Sequence, residues 1–369
     1  MSTTVVTEAG DVHWLRAGAA LAAAARRQAG QLARGICMSD ERVARVELCV
    51  TELATNLLKH ATDGALALRV VRARDRVAVE CLSLDSGPGI DDIPRALRDG
   101  TSATGSLGIG LGAVRRLADS FGVHSLHGRG TAVHARFWAG DTPPPGPVET
   151  GGLTRPISGE QVCGDTWAVR TVGGGTPGAG AACGTGRTEA ADLRGSGDTG
   201  NGSGSLLLMC DGLGHGPLAA RVADRARGAF RDSRHTDPVA VLADIHQDLR
   251  GTRGAAVAVA FADPVARIVR LAGVGNISAL VVHEGGRNGL MSLPGIVGGQ
   301  MPRTRAFEAP FPPGAALVLH SDGLSDRWKP ADFPGLFTQD PALVAAQLLN
   351  QAAVRRDDAG IVVAVHRRH

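Results

Sequence analysis

Two groups of residues in this 369-residue chain have the types and spacing that phosphate chemistry requires, one on each side of the proline-rich stretch TPPPGP (142–147). In the first, Glu52 and Asn56 stand four apart in TELATNLLKH (51–60), so on a helix they share one face. A carboxylate there can accept a proton or orient a hydroxyl, and an amide oxygen can ligate Mg²⁺. Asp85 follows in LDSGPGI (84–90), where it can accept a hydrogen bond from an exocyclic amine. Gly87 and Gly89 let the backbone approach a flat base closely. GSLGIGLG (105–112), with Gly108, Gly110 and Gly112, precedes a helical run and offers free N–H groups to phosphates. Together these residues describe a nucleotide pocket with one magnesium.

The second group is four aspartates at the ends of apolar runs such as LLLMC and ALVLHS: Asp165, Asp211, Asp322 and Asp357, with Asp358 beside the last. Carboxylates without histidine or cysteine partners favour hard ions, Mg²⁺ or Mn²⁺. Two such ions ~3.5–4 Å apart can hold a bridging hydroxide and hydrolyse a phosphoester without a covalent enzyme intermediate. Gly212 after Asp211, and the glycine after Asp322, let a carbonyl or water approach the ion. Taken singly, the Glu–Asn pair also fits a solvated helix face, and any one Asp-Gly pair is more often a β-turn. Their company in one chain argues for function. A protein with both groups can add a phosphoryl group and remove one.

Composition narrows the classes. Basic and acidic residues nearly balance (39 against 36, net +3), which makes no electrostatic case for nucleic acid. Lys59 and Lys329 are the only lysines. Neither sits in a GK[ST] loop or a strand-lysine context, so P-loop enzymes and eukaryotic-type kinases drop out. Gly108-x-Gly110-x-x-Ala113 imitates a dinucleotide fingerprint but lacks the preceding strand and the later acidic residue. The six cysteines show no CxxC pair and no zinc spacing with histidine, as expected of reduced thiols. The N-terminus has no leader pattern and no apolar run approaches the ~20 residues of a membrane span, so the expectation is a soluble, cytoplasmic protein with no membrane association.

The elements that must position these residues follow from periodicity. Residues 14–36 are Ala-rich and predict a helix. Ser39-Asp40-Glu41 caps a second helix running to about His60, which is expected to pack or cap. Runs 65–73 and 76–84 predict strands, 113–119 a helix and 123–139 a hairpin, giving helices on one face of a small mixed sheet. Composition sets residues 1–140 as one domain, 141–156 as a Pro/Gly-rich linker and 157–369 as a second, strand-rich domain of two packed sheets flanked by helices. Within the latter, 173–205 is glycine-rich and predicts a flexible insertion.

The order E-x-x-x-N, D-x-G-x-G, G-x-G-x-G over about 10–138 resembles the ATP-binding fold shared by histidine kinases, gyrase-type ATPases and anti-sigma-factor kinases (the GHKL superfamily). DSGPGIDD followed by GSLGIGLGAVRRLAD is similar to the RsbT-like switch-protein kinases of bacterial stress modules. The resemblance implies a Bergerat-type α/β sandwich binding ATP and Mg²⁺, with Glu52 as general base, Asn56 as Mg²⁺ ligand and Asp85 as adenine reader. It assigns Gly87, Gly89, Gly108, Gly110 and Gly112 to the pocket wall and phosphate lid. No phosphoacceptor histidine box is present, so transfer to serine or threonine of a partner is implied.

Downstream, G-D, D-G-L-G-H-G, G-V-G-N, S-D-G-L-x-D and D-D over about 153–366 resemble the metal-dependent PPM/PP2C-type serine/threonine phosphatases, in the SpoIIE-like branch and its RsbX-like group. This resemblance implies a β-sandwich flanked by helices that holds two Mg²⁺ or Mn²⁺. Asp165 and Asp211, with the Gly212 carbonyl, surround one ion, and Asp211, Asp322 and Asp357 the other. Asp357 is favoured over Asp358 as the ligand. His215 and Asn276 either shape substrate entry or are structural. The family pattern DD-x-T is broken by Gly360, which loses a hydroxyl but no carboxylate. Jointly the resemblances imply a partner-switching regulator. Its partners would be a STAS-domain antagonist, a stressosome-type protein or sigma-factor regulators. The alternative is an N-terminal half that is a non-catalytic, ATP-gated module attached to a phosphatase.

Overall fold

In the computed structural model, residues 5–8, 12–73, 76–98, 110–143, 145–173, 204–354 and 357–368 are described. The chain opens with β1 (Val5–Glu8) and β2 (His13–Arg16), then α1 (Leu21–Gly35) and α2 (Asp40–His60). β3 (Ala65–Ala73), β4 (Arg76–Leu84), the short α3 (Ile93–Ala96), α4 (Gly110–Leu117), β5 (Ser120–Leu126) and β6 (Gly130–Trp138) complete the first part. Trp14 and its neighbours, predicted helical from their Ala-rich context, instead form an edge strand, because His13–Arg16 pairs with Ala65–Leu68.

α1 buries Leu21, Ala25, Ala29 and Ala33, one every four residues, and these small side chains let it lie close to α2. α2 starts where Ser39 Oγ accepts from Arg42 N at 3.4 Å, with Asp40 and Glu41 in its first turn and Lys59 and His60 in its last, as the helix dipole favours. It buries Val43, Val46, Val50, Leu53 and Leu57 against Leu66, Leu68, Val79, Cys81, Val133 and Phe137. That stripe turns Glu52 and Asn56 onto the neighbouring, half-buried face. The sheet runs β2-β3-β4-β6-β5. Where a mixed sheet is predicted, every pairing is antiparallel. The helical crossover from β4 skips one place to β5, and β6 returns by hairpin into the gap, so no parallel strands are neighbours.

The second part comprises β7 (Val148–Arg155), β8 (Asp165–Val172), β9 (Gly204–Gly212), α5 (Gly216–Asp232), α6 (Pro238–Leu249), β10 (Ala255–Asp263), β11 (Ile268–Val274), β12 (Ser278–His283), β13 (Gly286–Leu290), β14 (Phe307–Pro310), β15 (Ala316–His320), α7 (Pro341–Ala352) and β16 (Ala359–His366). Two sheets form, β1-β8-β9-β10-β11-β14 and β13-β12-β15-β16-β7. They pack face to face through Trp167, Leu207 and Met209 against Leu317, Leu319 and Val362. α5 and α6 cover the outer face of the first sheet.

Two boundaries depart from the compositional reading. β7 lies inside the stretch expected to be linker, because GGLTR pairs with the apolar β16, its Gly151 and Gly152 admitting α7 and the Trp167 ring at contact distance. β1 crosses over to extend the β8 edge of a sheet in the second part. The expected flexible insertion lies outside the described residues except for Gly173, Gly204 and Ser205.

Apart from Gln347, α7 is apolar from Pro341 to Leu349 and is buried on all sides over that stretch, while its polar last turn, Asn350 and Gln351, is half-buried. One side packs on β7 and β16, the other on the free face of the β2-β3-β4-β6-β5 sheet through Ala67, Leu82, Leu84 and Leu126. Beside it a buried ion network crosses the interface. Glu80, fully buried, accepts from Arg69 Nε (2.7 Å), Arg136 Nε (2.9 Å) and Arg136 Nη2 (2.6 Å). Arg136 Nη1 then reaches Asp340, the N-cap of α7, at 3.3 Å. Among the described residues no helix is long and apolar enough to cross a membrane.

Candidate active sites

The first site is a cavity of about 580 Å³ between α2, the β4 end and α4. Glu52, Asn56, Asp85, Gly89 and Gly110 line it together, with Lys59, His60 and Thr131. The i, i+4 spacing on α2 aims Glu52 and Asn56 at the same space that the β4 end presents to Asp85. Asp85 Oδ1 accepts from Gly87 N at 2.7 Å, and its own N–H donates to Thr131 O at 3.0 Å. Burial pushes the Asp85 carboxyl up, opposed by backbone hydrogen bonding to it from Gly87 and Thr131. Gly87 sits where a Cβ would lie 2.9 Å from Asp85 Oδ1 and 3.0 Å from His60 O. Gly89 combines a φ of +83° with a Cβ position 2.6 Å from Leu126 O, so only glycine fits.

Gly110 begins α4, and Gly112 is buried inside it. The helix thus starts within the glycine motif, earlier than the predicted 113. Gly108 lies outside the described residues. Thr131 and Gly130 were not singled out by sequence reasoning. A Cβ on Gly130 would fall 1.9 Å from Asp85 O, so this glycine lets the β6 start lie directly beneath the Asp85 backbone. The GRGT run at 128–131 is the signal that marks it, hidden inside what reads as an ordinary hairpin turn.

The second site lies at the end of the sandwich where both sheets deliver acidic residues. Asp165 opens β8 and stands directly opposite Asp211 on β9. Like charges at paired positions repel, an arrangement that a cation relieves. Asp322 follows β15, and Asp357 and Asp358 precede β16 in the other sheet. Burial, then the charges of Asp322, Asp357 and Asp358, push the Asp211 carboxyl up to about 7. Burial and the Asp211 charge raise Asp165 well above the usual range, although Ser321 Oγ donates to its Oδ2 at 2.5 Å. Burial also raises Asp322, with Asp357 adding to the shift.

The two C-terminal aspartates differ. Asp358 is buried, and its oxygens accept from Ile157 N and Gly164 N, both at 2.7 Å. It ties the strand ends together. Asp357 is exposed, and among the described residues its Oδ1 accepts from Asp358 N at 2.9 Å. Asn276 donates to Asp322 Oδ2 at 2.6 Å, and His215 pairs with Glu160 at 3.4 Å. At Gly360 a Cβ would lie 2.3 Å from Met209 Cε and 2.8 Å from Asp165 Cβ, so threonine has no room. Ser321 supplies the hydroxyl beside Asp165 instead, and Gly360 N donates to it at 3.0 Å.

The all-oxygen donor set and its mutual repulsion fit hard divalent cations. Among the described residues, however, no group of three or more His, Cys, Asp or Glu side chains is drawn together tightly enough to form a closed metal cage. The carboxylates form an open array across the cleft rather than a finished cage.

Comparison with known proteins divides the chain at the same place. Residues 15–137 match the histidine kinase-like ATPase domain, and residues 201–365 match the stage II sporulation protein E (SpoIIE) family. The serine/threonine-protein kinase RsbT of Bacillus subtilis (strain 168) is 35% identical over 115 residues, which cover 31% of this chain and 86% of RsbT. A solved structure from work on the bacterial stressosome as a modular system controlling secondary messenger signalling is 28% identical, with a TM-score of 0.45 over 59% of this chain and 98% of that one. RsbX in complex with magnesium is 16% identical, with a TM-score of 0.42 over 59% and 94%. The PP2C phosphatase domain and regulatory fragment of SpoIIE from Bacillus subtilis is 14% identical, with a TM-score of 0.40 over 79% of each chain. With 86% of RsbT covered at 35% identity, the first part of the chain belongs to the RsbT family within the histidine kinase-like ATPases, and residues 201–365 carry the match to the SpoIIE family.

Proposed function

We propose that this protein is a cytoplasmic, bifunctional regulator of bacterial partner switching. The first domain phosphorylates a serine or threonine of a STAS-type antagonist or stressosome-type protein, and the second removes such phosphates. Asp85 reads the adenine, with Gly87, Gly89, Gly110 and Gly112 shaping the wall and lid. Asn56 would hold the Mg²⁺ that accompanies the triphosphate. Glu52 accepts the proton of the acceptor hydroxyl as its oxygen attacks the γ-phosphorus and ADP departs.

In the second domain Asp165 and Asp211, with the Gly212 carbonyl, would hold one divalent ion, and Asp211, Asp322 and Asp357 would hold a second. Asp358 organises the strand ends. When bound, such ions supply Lewis acidity and lower the pKa of water. Water attacks the phosphorus, the serine oxygen leaves and takes up a proton, and inorganic phosphate is released.

What supports this reading is the meeting of Glu52, Asn56 and Asp85 on one cavity and the facing of Asp165 by Asp211 on paired strands. The test uses an Asp211→Asn protein, in which dephosphorylation cannot erase transfer. Radiolabel passing from ATP to a STAS-domain protein, and lost in an additional Glu52→Gln change, is the expected result. ATP binding without transfer would leave the first domain as a gating module, a reading favoured by its buried contact with α7. An Asp211→Asn protein that hydrolyses phosphoserine at the wild-type rate would remove Asp211 and the carboxylate cleft from the phosphatase site, and wild-type protein inactive on phosphoserine with Mn²⁺ would remove the phosphatase assignment.

A further inference from the structure

The last turn of α7 touches both sites. Asn350 Nδ2 donates to the Asp85 carbonyl oxygen at 2.7 Å. Gln351 Nε2 donates to Arg129 O at 2.7 Å, and its Oε1 accepts from Arg129 Nε at 3.2 Å. Arg129 precedes Gly130, the residue that packs beneath Asp85. The backbone of Asp85 is therefore clamped between the β6 start and α7.

The same turn grips the other site. Ser325 N donates to Ala352 O at 2.9 Å, and Val354 N donates to Gly323 O at 2.7 Å. These bonds hold Gly323 and Ser325, directly after Asp322 in the loop that carries it. Gly323 in turn lies so close to the Asp358 backbone that a Cβ would fall 1.8 Å from its carbonyl oxygen. Beyond Val354 the chain runs on to Asp357. One helix end thus holds the strand end of the nucleotide pocket and the loop of the carboxylate cleft.

α7 is buried between two sheets, so a displacement at one end is transmitted rather than absorbed. Apolar packing alone would suffice to glue the domains. The hydrogen bonds to Asp85, Arg129, Gly323 and Ser325 go further, because they lie at the two sites themselves.

We infer that α7 couples the sites, with Asn350 as the positioning residue, so that nucleotide in the Asp85 pocket sets the position of the Asp322 loop and thereby the phosphatase turnover. The inference rests on the nucleotide and phosphatase readings above and adds a link between them that neither requires. A bound base that hydrogen-bonds Asp85 shifts its backbone, and Asn350 carries that shift into the end of α7.

The test measures hydrolysis of para-nitrophenyl phosphate by the full chain at constant free Mn²⁺, with and without saturating ADP, alongside ADP affinity by fluorescence. The expected result is a change in kcat of about 5-fold or more on ADP binding, the lower range of measured couplings, with little change in KM. Asn350→Asp keeps the shape but removes the donor, and brings the ratio of the two turnovers to within about 2-fold of one. Gln351→Ala, at a half-buried position, lowers the ratio as well and serves if Asn350→Asp does not fold. ADP that binds the wild-type protein without altering turnover overturns the coupling, as does a ratio that survives in both variants. Failure of ADP to bind at all defeats the nucleotide reading itself and the coupling with it, a distinguishable outcome.

Discussion

Replacing Glu80 by methionine should destabilise the protein far more than replacing Glu80 and Arg69 together. Glu80 is fully buried and receives Arg69 on one side and Arg136 on the other. Burial alone would raise its carboxyl, but the charges of Arg69 and then Arg136 hold it well below the usual carboxylate range. In Glu80→Met, Arg136 keeps Asp340 at 3.3 Å, whereas Arg69 retains only the face of Trp167, 5.4 Å from its guanidinium carbon. Arg69 is itself 2% exposed. An uncompensated buried charge costs about 3–5 kcal/mol. For a cooperative unit of about 150–250 residues that lowers Tm by roughly 6–20 °C. In Arg69→Met/Glu80→Met the stranded charge is gone, and the loss should fall short of the summed single losses by at least about 1 kcal/mol. The sign with pH follows from the depressed carboxyl. The unfolded chain titrates near 4.3, so the pair's contribution is complete above that pH and is lost as pH falls toward the folded value. The gap in Tm between wild type and Glu80→Met therefore narrows in acid. Calorimetry of the four proteins at pH 7 and in acid decides the matter. Additive losses within about 0.5 kcal/mol, or a gap that widens in acid, would refute the reasoning.

Three other expectations can be checked directly. Gly360→Thr, which restores the family motif, should reduce phosphatase turnover by more than tenfold (order of magnitude) and cost about 1–3 kcal/mol through crowding of Asp165, while ADP affinity stays unchanged; wild-type turnover in this variant would show that the strand end yields. Asp211 binds its proton more tightly when folded (about 7) than in the unfolded chain, so without metal its contribution to stability is lost as pH rises toward and through 7. Melting curves at pH 5 and pH 8 should show a larger drop for wild type than for Asp211→Asn, and Mn²⁺ should erase the difference; equal drops would count against repulsion in the cleft. Gly130→Ala, whose new methyl meets the Asp85 carbonyl at a φ of +99°, should weaken ADP binding at least about tenfold in a fluorescence titration, with unaltered affinity telling against the clamp beneath Asp85.

What could be learned from the chain alone was local chemistry. Glu52 and Asn56 share a face because four residues make about one helical turn. Asp211 and Asp322 end apolar runs, and strand ends are where side chains from separate strands meet. The glycines at 87 and 89 announce close backbone approach. None of this depends on distant partners, so it was legible without them. Tertiary structure decided everything that turns on pairing and space. β1 and β7 became the edge strands of the two sheets of the second domain because each sheet had an open edge to fill, at β8 and at β16. Asp357 and Asp358 are adjacent and identical in type, and only the N–H groups of Ile157 and Gly164 separate a buried staple from an exposed carboxylate. Gly360 looked like a lost hydroxyl until Met209 and Asp165 were seen to leave no room for a side chain, with Ser321 supplying an oxygen from the neighbouring strand. That the two sides of α7 face different domains is likewise a product of the tertiary structure. Hydrophobic periodicity records how much surface a segment must hide, and only the folded chain determines against what.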